Sequence, residues 1–403
     1  MLAVADAQKL ILTYAQPLAP LQARLDDSAL GLLLAEDIAS DLDVPPYDKA
    51  VMDGYAVCSS DLRGGSAVLT IVEEIVAGRM PQHAVSPGHA SRIMTGAPIP
   101  GGADAVVKVE QSKVLPDGRV ALECPPPQPG TYILQRGREM RSGEPVLASG
   151  TVLRPQEIGL LATVGRTAAG AIPRPRVAIL PTGDELVDAA QSPGPGQIRN
   201  SNGPMLGAQT SRAGGVPCYL GIGRDELESL HALVMDGLKA DVLILSGGVS
   251  VGKRDLVPEV LHTAGVTAHF HTVDMKPGKP VFFGTREQTL VFGLPGNPVS
   301  SLVGFELFVR PALRRLRGMT DPGPRFVEAR LVEDYSYRTD RPTYHPARLE
   351  LTAQGYRVAV VPWFGSPDLR GLLRANAVAL LPPGDLIHRA GQAYSVLPFE
   401  DPE

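Results

Sequence analysis

Short apolar runs that contain no polar residue recur between positions 174 and 322. The clearest lie at 177–180 (VAIL), 242–245 (VLIL) and 290–294 (LVFGL), each directly before a glycine-containing loop. Strands of this kind are typical of a parallel sheet that helices cover on both faces. Helical patterns follow at 201–215, 225–238, 253–265 and 298–316. Because strands and helices alternate, this region is predicted to form right-handed βαβ units around one parallel sheet.

Short strands and turns dominate the chain on both sides of this region. From 45 to 140 the pattern is all β, and Asp117-Gly118 between two alternating runs predicts a hairpin. Short strands return from 323 to the end of the sequence. Helices are expected around the first β segment, namely an amphipathic one near the N-terminus, a short one at 29–35 and one at 154–165.

The predicted fold class is a multidomain α/β plus β protein. A discontinuous helical N-terminal domain, which also links its neighbours, consists of 1–44 and 141–173, and a β module at 45–140 is inserted into it. The central parallel-sheet α/β domain occupies 174–322, and a small β-barrel-like domain occupies 323–403.

The charge balance argues against two broad classes of partner. Lys and Arg number 38 against 43 Asp and Glu, a net charge of −5, whereas general nucleic-acid and membrane-surface binders are usually basic. No stretch reaches the 18 apolar residues of a transmembrane helix. The 3 cysteines are far apart and form no CxxC motif, so a reducing cytoplasm is the expected compartment.

Four loops rich in glycine, serine or threonine follow predicted strands, at 181–186, 221–226, 246–255 and 294–298. The carboxyl ends of parallel strands meet at one edge of a sheet, where ligands of open α/β sheets bind. Free N–H groups in such loops favour anions. One such loop alone is better explained as an ordinary tight turn, but four loops at one edge of the sheet predict a ligand site. Its candidate residues are Ser246, Gly247, Gly248, Ser250, Pro295, Asn297 and Pro298.

Three carboxylates, Glu185, Asp225 and Asp255, lie in the same loops. Acids beside an anion site suggest a hard divalent cation such as Mg²⁺, shared with a phosphate group. The alternative role of Glu185 and Asp225 is at helix N-termini, where acidic caps and first-turn acids are common, and Asp225 is the expected N-cap. Asp255 lies within its predicted helix, so capping explains it less well.

Two lysines flank a stiff turn in the sequence KPGKP at 276–280. Prolines restrict the backbone of this turn, and two ammonium groups held on a rigid loop suit an oxyanion or a phosphate. Lys276 and Lys279 are therefore candidate anion ligands. The alternative is a solvated surface turn.

The β module contains two further candidates. Asp53 lies in the otherwise apolar stretch 45–57, which predicts that it is buried, and Thr95 precedes a glycine turn. Plain hairpin chemistry is the alternative for both residues. Elsewhere, His269 and His271 form an H-x-H pair in a predicted strand, which indicates a strand face more than a metal site.

Six motifs together resemble one family: MDGYA, MTGAPIPGGADAVV, PTGDEL, SGGVSVGKRD, KPGKP and LPGNPVS. Their order and spacing are similar to those of the molybdopterin molybdenumtransferases, the family that includes the E domain of gephyrin. The resemblance covers essentially the whole chain. It implies a homodimer whose α/β domain binds molybdopterin, and an enzyme that inserts molybdate into adenylylated molybdopterin and releases AMP. Other proteins of molybdenum cofactor biosynthesis are further expected partners.

The motifs also carry the family's functional residues onto this sequence. The important acids fall on Asp53, Glu185, Asp225 and Asp255, the threonine on Thr95, the lysines on Lys276 and Lys279, and the motif prolines on Pro295 and Pro298. In the family, the active site forms between the α/β domain of one subunit and the β module of the other. The resemblance therefore implies that Asp53 and Thr95 act across a dimer interface.

The C-terminal domain departs from the family pattern at one place. Relatives tend to carry arginine directly after an aromatic-His/Gln pair, where this chain has Pro346, with Arg348 two residues further on. Arg341 falls where another arginine of the family is expected. The resemblance therefore implies that Arg341 and Ser366 contribute the anion contact of this domain.

Three alternatives to molybdate insertion are open at this point. A molybdopterin adenylyltransferase shares the α/β domain type, although the additional β modules argue against it. Tungstate has the charge of molybdate and nearly its size, so the sequence does not separate the two oxyanions. A non-catalytic scaffold is the third alternative, because gephyrin also clusters receptors, but the sequence shows no appended domain for that role.

Overall fold

The computed structural model describes residues 1–248 and 256–400. The chain divides into two compact units. The larger unit comprises Met1–Ala23, Gly31–Ala35 and Gly170–Glu403, and the smaller unit comprises Arg24–Leu30 and Glu36–Ala169. The boundaries of the four predicted domains stay predictions.

A six-stranded mixed sheet organises the larger unit. Its strands lie in the order Val216–Tyr219, Arg176–Pro181, Val242–Ser246, Thr289–Leu294, Pro280–Arg286 and Thr267–Thr272. The first four are parallel, whereas the last two are antiparallel to their neighbours. The prediction of a purely parallel sheet is therefore wrong at this side. Only Glu287 and Gln288 join Pro280–Arg286 to Thr289–Leu294, and a helical crossover does not fit into so short a turn.

The antiparallel pairing of strands Pro280–Arg286 and Thr289–Leu294 determines at which edge of the sheet the KPGKP turn lies. Strand Pro280–Arg286 runs opposite to Thr289–Leu294, with Phe282 paired to Gly293. It therefore begins where its neighbour ends. For this reason the KPGKP turn, which precedes the strand, lies at the carboxyl edge of the parallel strands.

Both faces of this sheet are covered, which explains its apolar strands. Ile179 belongs to the hydrophobic core on one face, and the next residue, Leu180, belongs to the core on the other. Burying both faces requires apolar residues at successive positions. The α-helices of the larger unit are Val4–Tyr14, Asn202–Arg212, Leu227–Gly237, Val257–Thr263, Pro298–Gly304, Arg310–Leu316 and Leu369–Leu372.

The helix that closes the α/β region contains a widened turn. A π-helical segment, Phe305–Val309, joins Pro298–Gly304 to Arg310–Leu316. Pro311 has no N–H to donate to the carbonyl of Leu307, four residues earlier. Gln8 Nε2, from the N-terminal helix, donates to this carbonyl at 3.0 Å instead. This contact attaches the N-terminal helix to the closing helix within the larger unit.

The N-terminal helix Val4–Tyr14 is confirmed, but the helix expected at 29–35 is wrong. The chain forms a 3₁₀ turn at Asp27–Ala29 and then a strand, Leu33–Leu34, that pairs with Ala168–Ile172. Gly31 between them has φ +77°, a left-handed conformation that ends helical structure. The segments predicted as a helical domain therefore contain more strand than expected.

A six-stranded β-sheet organises the smaller unit, as predicted for the β module. Its strands lie in the order Ala105–Lys108, Gly54–Val57, His89–Ile93, Ser66–Ile75, Arg119–Glu123 and Ser112–Val114. The last two form the predicted hairpin, with Gly118 at φ +83°. Helix Pro155–Thr163 confirms the helix expected at 154–165. Shorter strands of the chain lie at Leu21–Arg24, Ile38–Ala39, Lys49–Ala50, Ile133–Leu134, Pro145–Leu147, Leu186–Val187 and Ile198–Arg199.

A closed barrel forms the C-terminal part of the larger unit. Its strands are Val327–Leu331, Gly355–Val360, Thr343–Thr352, Ala377–Leu381 and Ala393–Pro398, and a separate pair joins Tyr335–Thr339 to Gly384–His388. With the α/β sheet and the β module, the barrel confirms the predicted fold class. None of the helices in the described part of the chain is long and apolar enough to cross a membrane.

Candidate functional site

A cavity of about 560 Å³ lies at the carboxyl edge of the parallel strands, and we call it the strand-end cavity. Three of the four predicted loops line it, through Thr182 and Glu185, through Ser246 and Gly248, and through 295–298. The loops converge because the strands that precede them are neighbours in the sheet. The sheet topology therefore brings hydroxyl, amide and carboxylate groups from distant positions to one site.

Backbone contacts hold these loops against one another. Thr182 N–H donates to the Ser246 carbonyl at 2.9 Å, and Gly247 N–H donates to the Leu294 carbonyl at 3.1 Å. Gly247 has φ +98°, and a β-carbon there would lie 2.4 Å from the Thr182 carbonyl oxygen. Only glycine fits this contact. Gly247 thus allows two loops of the cavity wall to pack closely, although it is not itself among the described residues that line the cavity.

The predicted acids do not all reach the strand-end cavity. Glu185 lines it, and its carboxylate folds over Gly183, where a β-carbon would lie 2.4 Å from Glu185 Oε2. Asp225 is not among the described residues that line it. Asp255 and Ser250 lie outside the described residues.

Asp225 also differs from its predicted role as an N-cap. The helix expected to begin there begins at Leu227, with Glu226 as its N-cap residue, so this prediction is wrong. The backbone N–H of Asp225 donates to Asp184 Oδ1 at 3.0 Å, which fixes Asp225 in the preceding loop. The loop 221–226 is therefore held to 181–186 by hydrogen bonds, which also include one from Gly183 N–H to the Gly223 carbonyl at 3.0 Å.

A second cavity of about 460 Å³ brings the other predicted anion ligands together, and we call it the lysine cavity. Lys276, Lys279, Arg341 and Ser366 all line it. Arg348, the other arginine considered from the sequence, is exposed and is not among the described lining residues. The structure therefore places Arg341, and not Arg348, beside the two lysines.

Three cations and one acid set the charge of the lysine cavity: Lys276, Lys279, Arg341 and Asp340. Arg341 and Asp340 form a bidentate ion pair. The hydrogen-bonded guanidinium lowers the pKa of Asp340, and the carboxylate raises the pKa of Arg341. These charges sum to +2, which favours an oxyanion as the ligand.

A hydrogen bond joins the walls of the two cavities. Asn297 lines the strand-end cavity and Ser366 lines the lysine cavity. Asn297 Nδ2 donates to Ser366 Oγ at 2.9 Å, and Val299 N–H donates to the Ser366 carbonyl at 3.1 Å. The cavities are therefore neighbours, with the loop 295–298 between them.

An aromatic cluster that was not predicted packs beside the lysine cavity. His345 is fully buried, its Nε2 lies 3.0 Å from the Tyr335 hydroxyl, and its ring contacts Tyr337 and Trp363 edge-on. Burial lowers the pKa of His345 to about 4, so the imidazole is neutral at pH 7. The cluster was not predictable because its members meet only in the folded barrel region.

The segment 198–202, which had no predicted role, forms one wall of the strand-end cavity. Its strand Ile198–Arg199 pairs in parallel with Leu186–Val187, which brings it beside the loop of Glu185. The segment then turns into the helix Asn202–Arg212. Asparagine and serine clustered before a helix at the sheet edge were the sequence pattern that could have identified it.

Asp53 and Thr95 lie together in the smaller unit. Thr95 donates from its backbone N–H and from its hydroxyl to Asp53 Oδ1, each at 2.7 Å, and these bonds lower the pKa of Asp53. Both residues are exposed, so the prediction that Asp53 is buried is wrong. The buried strand begins one residue later, at Gly54, where a β-carbon would lie 1.9 Å from the Val107 carbonyl oxygen.

The two histidines of the H-x-H pair pack on different sides of the sheet. His269 contacts Phe283 and His271 contacts Phe282, and these phenylalanines belong to the cores on opposite faces. The pairing register of the strand shifts on both sides of Phe270, which interrupts the alternation of side chains. The pair therefore does not share the single strand face expected of it.

Two family models match this chain. Residues 2–165 match the MoeA N-terminal region (domain I and II). Residues 178–315 match the probable molybdopterin binding domain. The second match includes the loops of the strand-end cavity and both lysines of the lysine cavity.

Curated relatives match over most of their length. A molybdopterin molybdenumtransferase of Staphylococcus aureus (strain Mu50) is 34% identical over 376 residues, which cover 92% of this chain and 89% of the relative. That of a Nostoc species is 36% identical over 380 residues, covering 92% and 87%. A solved structure, the molybdopterin biosynthesis MoeA protein of Pyrococcus horikoshii, is similar with a TM-score of 0.83 and 30% identity over 100% of both chains.

These similarities extend over both compact units and agree with the resemblance carried by the six motifs. Identity of 34–36% across 92% of the chain is well beyond what a shared fold alone requires. This chain belongs to the molybdopterin molybdenumtransferase family.

Proposed function

We propose that this protein inserts molybdate into adenylylated molybdopterin and releases AMP, so that molybdenum cofactor forms. The observation that carries the proposal is the hydrogen bond from Asn297 to Ser366, which joins the strand-end cavity to the lysine cavity. The reaction brings a large phosphate ester and a small dianion together. Two adjoining cavities of different size and charge suit these two substrates.

The lysine cavity suits molybdate. Molybdate carries two negative charges, and the charged residues that line this cavity sum to +2. Lys276 and Lys279 lie on a turn restricted by prolines, so the backbone positions from which their side chains extend are set before the anion arrives. Charges that are already near their final positions stabilise an anion with little rearrangement during the reaction. The Ser366 hydroxyl adds a neutral hydrogen-bond donor.

The strand-end cavity suits the pterin and its phosphates. Thr182, Ser246 and Asn297 place hydroxyl and amide groups along its wall. Their loops are held by backbone hydrogen bonds, so the protein can orient the substrate closely. Orientation and charge neutralisation are the contributions required here, and no side chain needs to act as a nucleophile.

We propose that Mg²⁺ binds in the strand-end cavity. Among the described residues, Glu185 supports this proposal, because it lines that cavity. In 1–248 and 256–400, no three His, Cys, Asp or Glu side chains are grouped so as to hold a metal ion. Carboxylate oxygens are preferred Mg²⁺ ligands, and the ion usually completes its shell with water and phosphate. Glu185 would hold it, and the motifs alone add Asp225 and Asp255. Bound there, Mg²⁺ would polarise the phosphoanhydride that is cleaved.

We further propose that the protein acts as a cytoplasmic homodimer. In the family, the β module of one subunit completes the active site of the other, and Asp53 and Thr95 match the residues concerned. Their exposure supports the proposal, because a hydrogen-bonded pair on the surface is accessible to a second chain. Other proteins of molybdenum cofactor biosynthesis would supply its substrate.

Incubation of the purified protein with adenylylated molybdopterin, Mg²⁺ and molybdate tests the proposed reaction. We expect cofactor formation with release of one AMP per molecule formed. A parallel reaction with tungstate determines the oxyanion preference, and one with ATP and molybdopterin tests adenylyl transfer. Adenylylation without oxyanion insertion would identify an adenylyltransferase instead, and no turnover in any reaction would support the scaffold.

Glu185→Gln tests the metal assignment. Glutamine keeps the shape of the side chain but removes its charge, so the Mg²⁺ concentration for half-maximal AMP release should rise by about tenfold or more. Glu228→Gln is the control, because Glu228 is exposed in the helix Leu227–Gly237 and is not among the described residues that line the cavity. An unchanged Mg²⁺ dependence in Glu185→Gln would contradict the assignment.

A further inference from the structure

Two buried polar atoms in the wall of the strand-end cavity have no hydrogen-bond partner among the described residues. They are Asn202 Oδ1 and Thr182 Oγ1. Asn202 is 7% exposed and Thr182 is 2% exposed, and both line the cavity. Buried polar atoms are nearly always paired in folded proteins, so two orphans in one cavity indicate where a ligand binds.

The orientation of the Asn202 amide is fixed by its neighbours. Asn202 Nδ2 donates to the Gly296 carbonyl and to Ser246 Oγ, each at 2.8 Å. A carbonyl oxygen can only accept a hydrogen bond, so the NH₂ group must face Gly296. The atom left without a partner is therefore the oxygen. The same amide connects the ends of two ligand loops, 246–248 and 295–298.

The chemistry of the unpaired atoms restricts the group that can bind them. Asn202 Oδ1 is an acceptor, and it requires an N–H or O–H donor from the ligand. The fully ionised oxygens of phosphate or molybdate are acceptors only, so these anions do not suit it. Thr182 Oγ1 can donate or accept. A planar heterocycle with an amine beside a ring nitrogen or carbonyl presents the required combination.

We propose that Asn202 Oδ1 and Thr182 Oγ1 recognise the amine-bearing edge of a fused heterocycle of the substrate. This inference rests on the proposed function and names the residues that select its substrate. Both halves of adenylylated molybdopterin have this chemistry, since pterin and adenine each carry an exocyclic amine. Arg199, three residues before Asn202, lines the same cavity and provides a cation for the phosphates.

Calorimetric titration of three probes tests the proposal: molybdopterin, AMP, and purine riboside 5′-monophosphate, which lacks the exocyclic amine of AMP. Asn202→Ala should weaken binding of molybdopterin or AMP by about ten- to a hundredfold. Thr182→Val removes only a hydroxyl with no partner in the described protein, so this variant should fold. It should weaken binding of the same probe by about three- to tenfold.

The three probes separate the two halves of the substrate. If adenine is recognised, wild-type protein binds AMP more tightly than the amine-free nucleotide, and Asn202→Ala removes the difference. If pterin is recognised, only molybdopterin binding falls. Gln197→Ala is the control, because Gln197 is exposed and is not among the described lining residues. Unchanged binding of all three probes by folded Thr182→Val and Asn202→Ala overturns the proposal.

Cofactor formation by the wild-type protein, measured in parallel, separates this inference from the proposed function. Wild-type turnover together with unchanged binding in both variants disproves only the role of Asn202 and Thr182. Absence of wild-type turnover disproves the proposed function, whatever the variants bind. Should Asn202→Ala fail to fold, Thr182→Val alone decides the outcome, since unchanged binding of every probe by that variant overturns the proposal.

Discussion

The ammonium group of Lys276 lies over the ring of Tyr337, with Nζ 5.2 Å from the ring centroid. Tyr337 lies in strand Tyr335–Thr339 and packs edge-on against the buried ring of His345. A cation over an aromatic face gains roughly 0.5–2 kcal/mol. The contact therefore holds a flexible side chain against a rigid cluster, at the wall of the cavity proposed for molybdate.

Tyr337→Leu is expected to raise the molybdate concentration for half-maximal cofactor formation by about three- to thirtyfold. The reason is that the Lys276 ammonium loses the aromatic face that positions it. Tyr337→Phe keeps this face and should stay within about twofold of wild type. Steady-state rates at varied molybdate measure both. Equal effects of the two substitutions would show that the ring does not act through its interaction with the cation.

Lys276→Ala and Lys279→Ala are expected to impair the use of molybdate more than the binding of molybdopterin. Each removes a positive charge from the lining of the cavity proposed for the dianion, and two unlike charges a few ångströms apart attract strongly. The measurements are the molybdate dependence of cofactor formation and direct titration with molybdopterin. Arg348→Ala is the control, since Arg348 is exposed and is not among the described residues lining the lysine cavity. A loss of molybdopterin affinity alone would mean that the lysines hold phosphate.

The stability of the protein should fall between pH 6.5 and pH 4 because of His345. Burial lowers the pKa of His345 to about 4, whereas an imidazole in an unfolded chain titrates near 6.5. The unfolded state therefore binds more protons in this window, and the free energy of unfolding decreases as the pH falls. The full contribution of this one group is about 3 kcal/mol.

Urea unfolding at pH 7 and pH 4.5 measures this dependence. Trp363 is the single tryptophan of the chain, and its ring lies 5.2 Å from that of His345, so its fluorescence reports on the region concerned. His345→Gln removes the titrating group and should be less sensitive to pH than wild type, although it is less stable at pH 7. An identical decrease in both proteins would assign the effect to other groups.

Two inactive variants should restore activity when they are mixed, if the active site is shared between subunits. Asp53→Ala and Glu185→Ala place their lesions in different parts of the proposed site, and each homodimer should be nearly inactive. In a mixed dimer both lesions can fall in one site, which leaves the other intact. Random exchange makes about half of the dimers mixed, so activity should return to roughly a quarter of wild type. An inactive mixture, with subunit exchange confirmed by a mass-tagged chain, would disprove the shared site.

The strand-end cavity was predictable from the sequence to a large extent. The runs at 177–180, 242–245 and 290–294 are apolar without interruption, and each is followed by a loop with glycine. Such strands must be buried on both faces, and neighbouring parallel strands must deliver their loops to one edge. The local sequence pattern and the geometry of parallel sheets are therefore sufficient to predict that Thr182 and Ser246 lie close together.

Features that depend on contacts between distant residues were not predictable. Glu287 adopts φ +53° in the turn that reverses strand Pro280–Arg286, although residues other than glycine seldom do, so no glycine marks the turn. Asp53 is exposed although the next residue, Gly54, is buried against the Val107 carbonyl. The side-chain amide of Asn202 is oriented by its hydrogen bond to the carbonyl of Gly296, which lies 94 positions further along the chain. In each case tertiary packing decides what local pattern leaves open.

The hydrogen bond from Gln8 to the Leu307 carbonyl spans 299 positions of the chain, which constrains the order of events during protein synthesis. At roughly 5–20 residues per second, about 15–60 s pass between the translation of the two residues. During this interval the apolar face of helix Val4–Tyr14, which includes Ala7 and Ile11, cannot pack against the closing helix. This helix therefore reaches its place only after the closing helix has been translated, and factors that bind nascent chains would meet its exposed face in the interval.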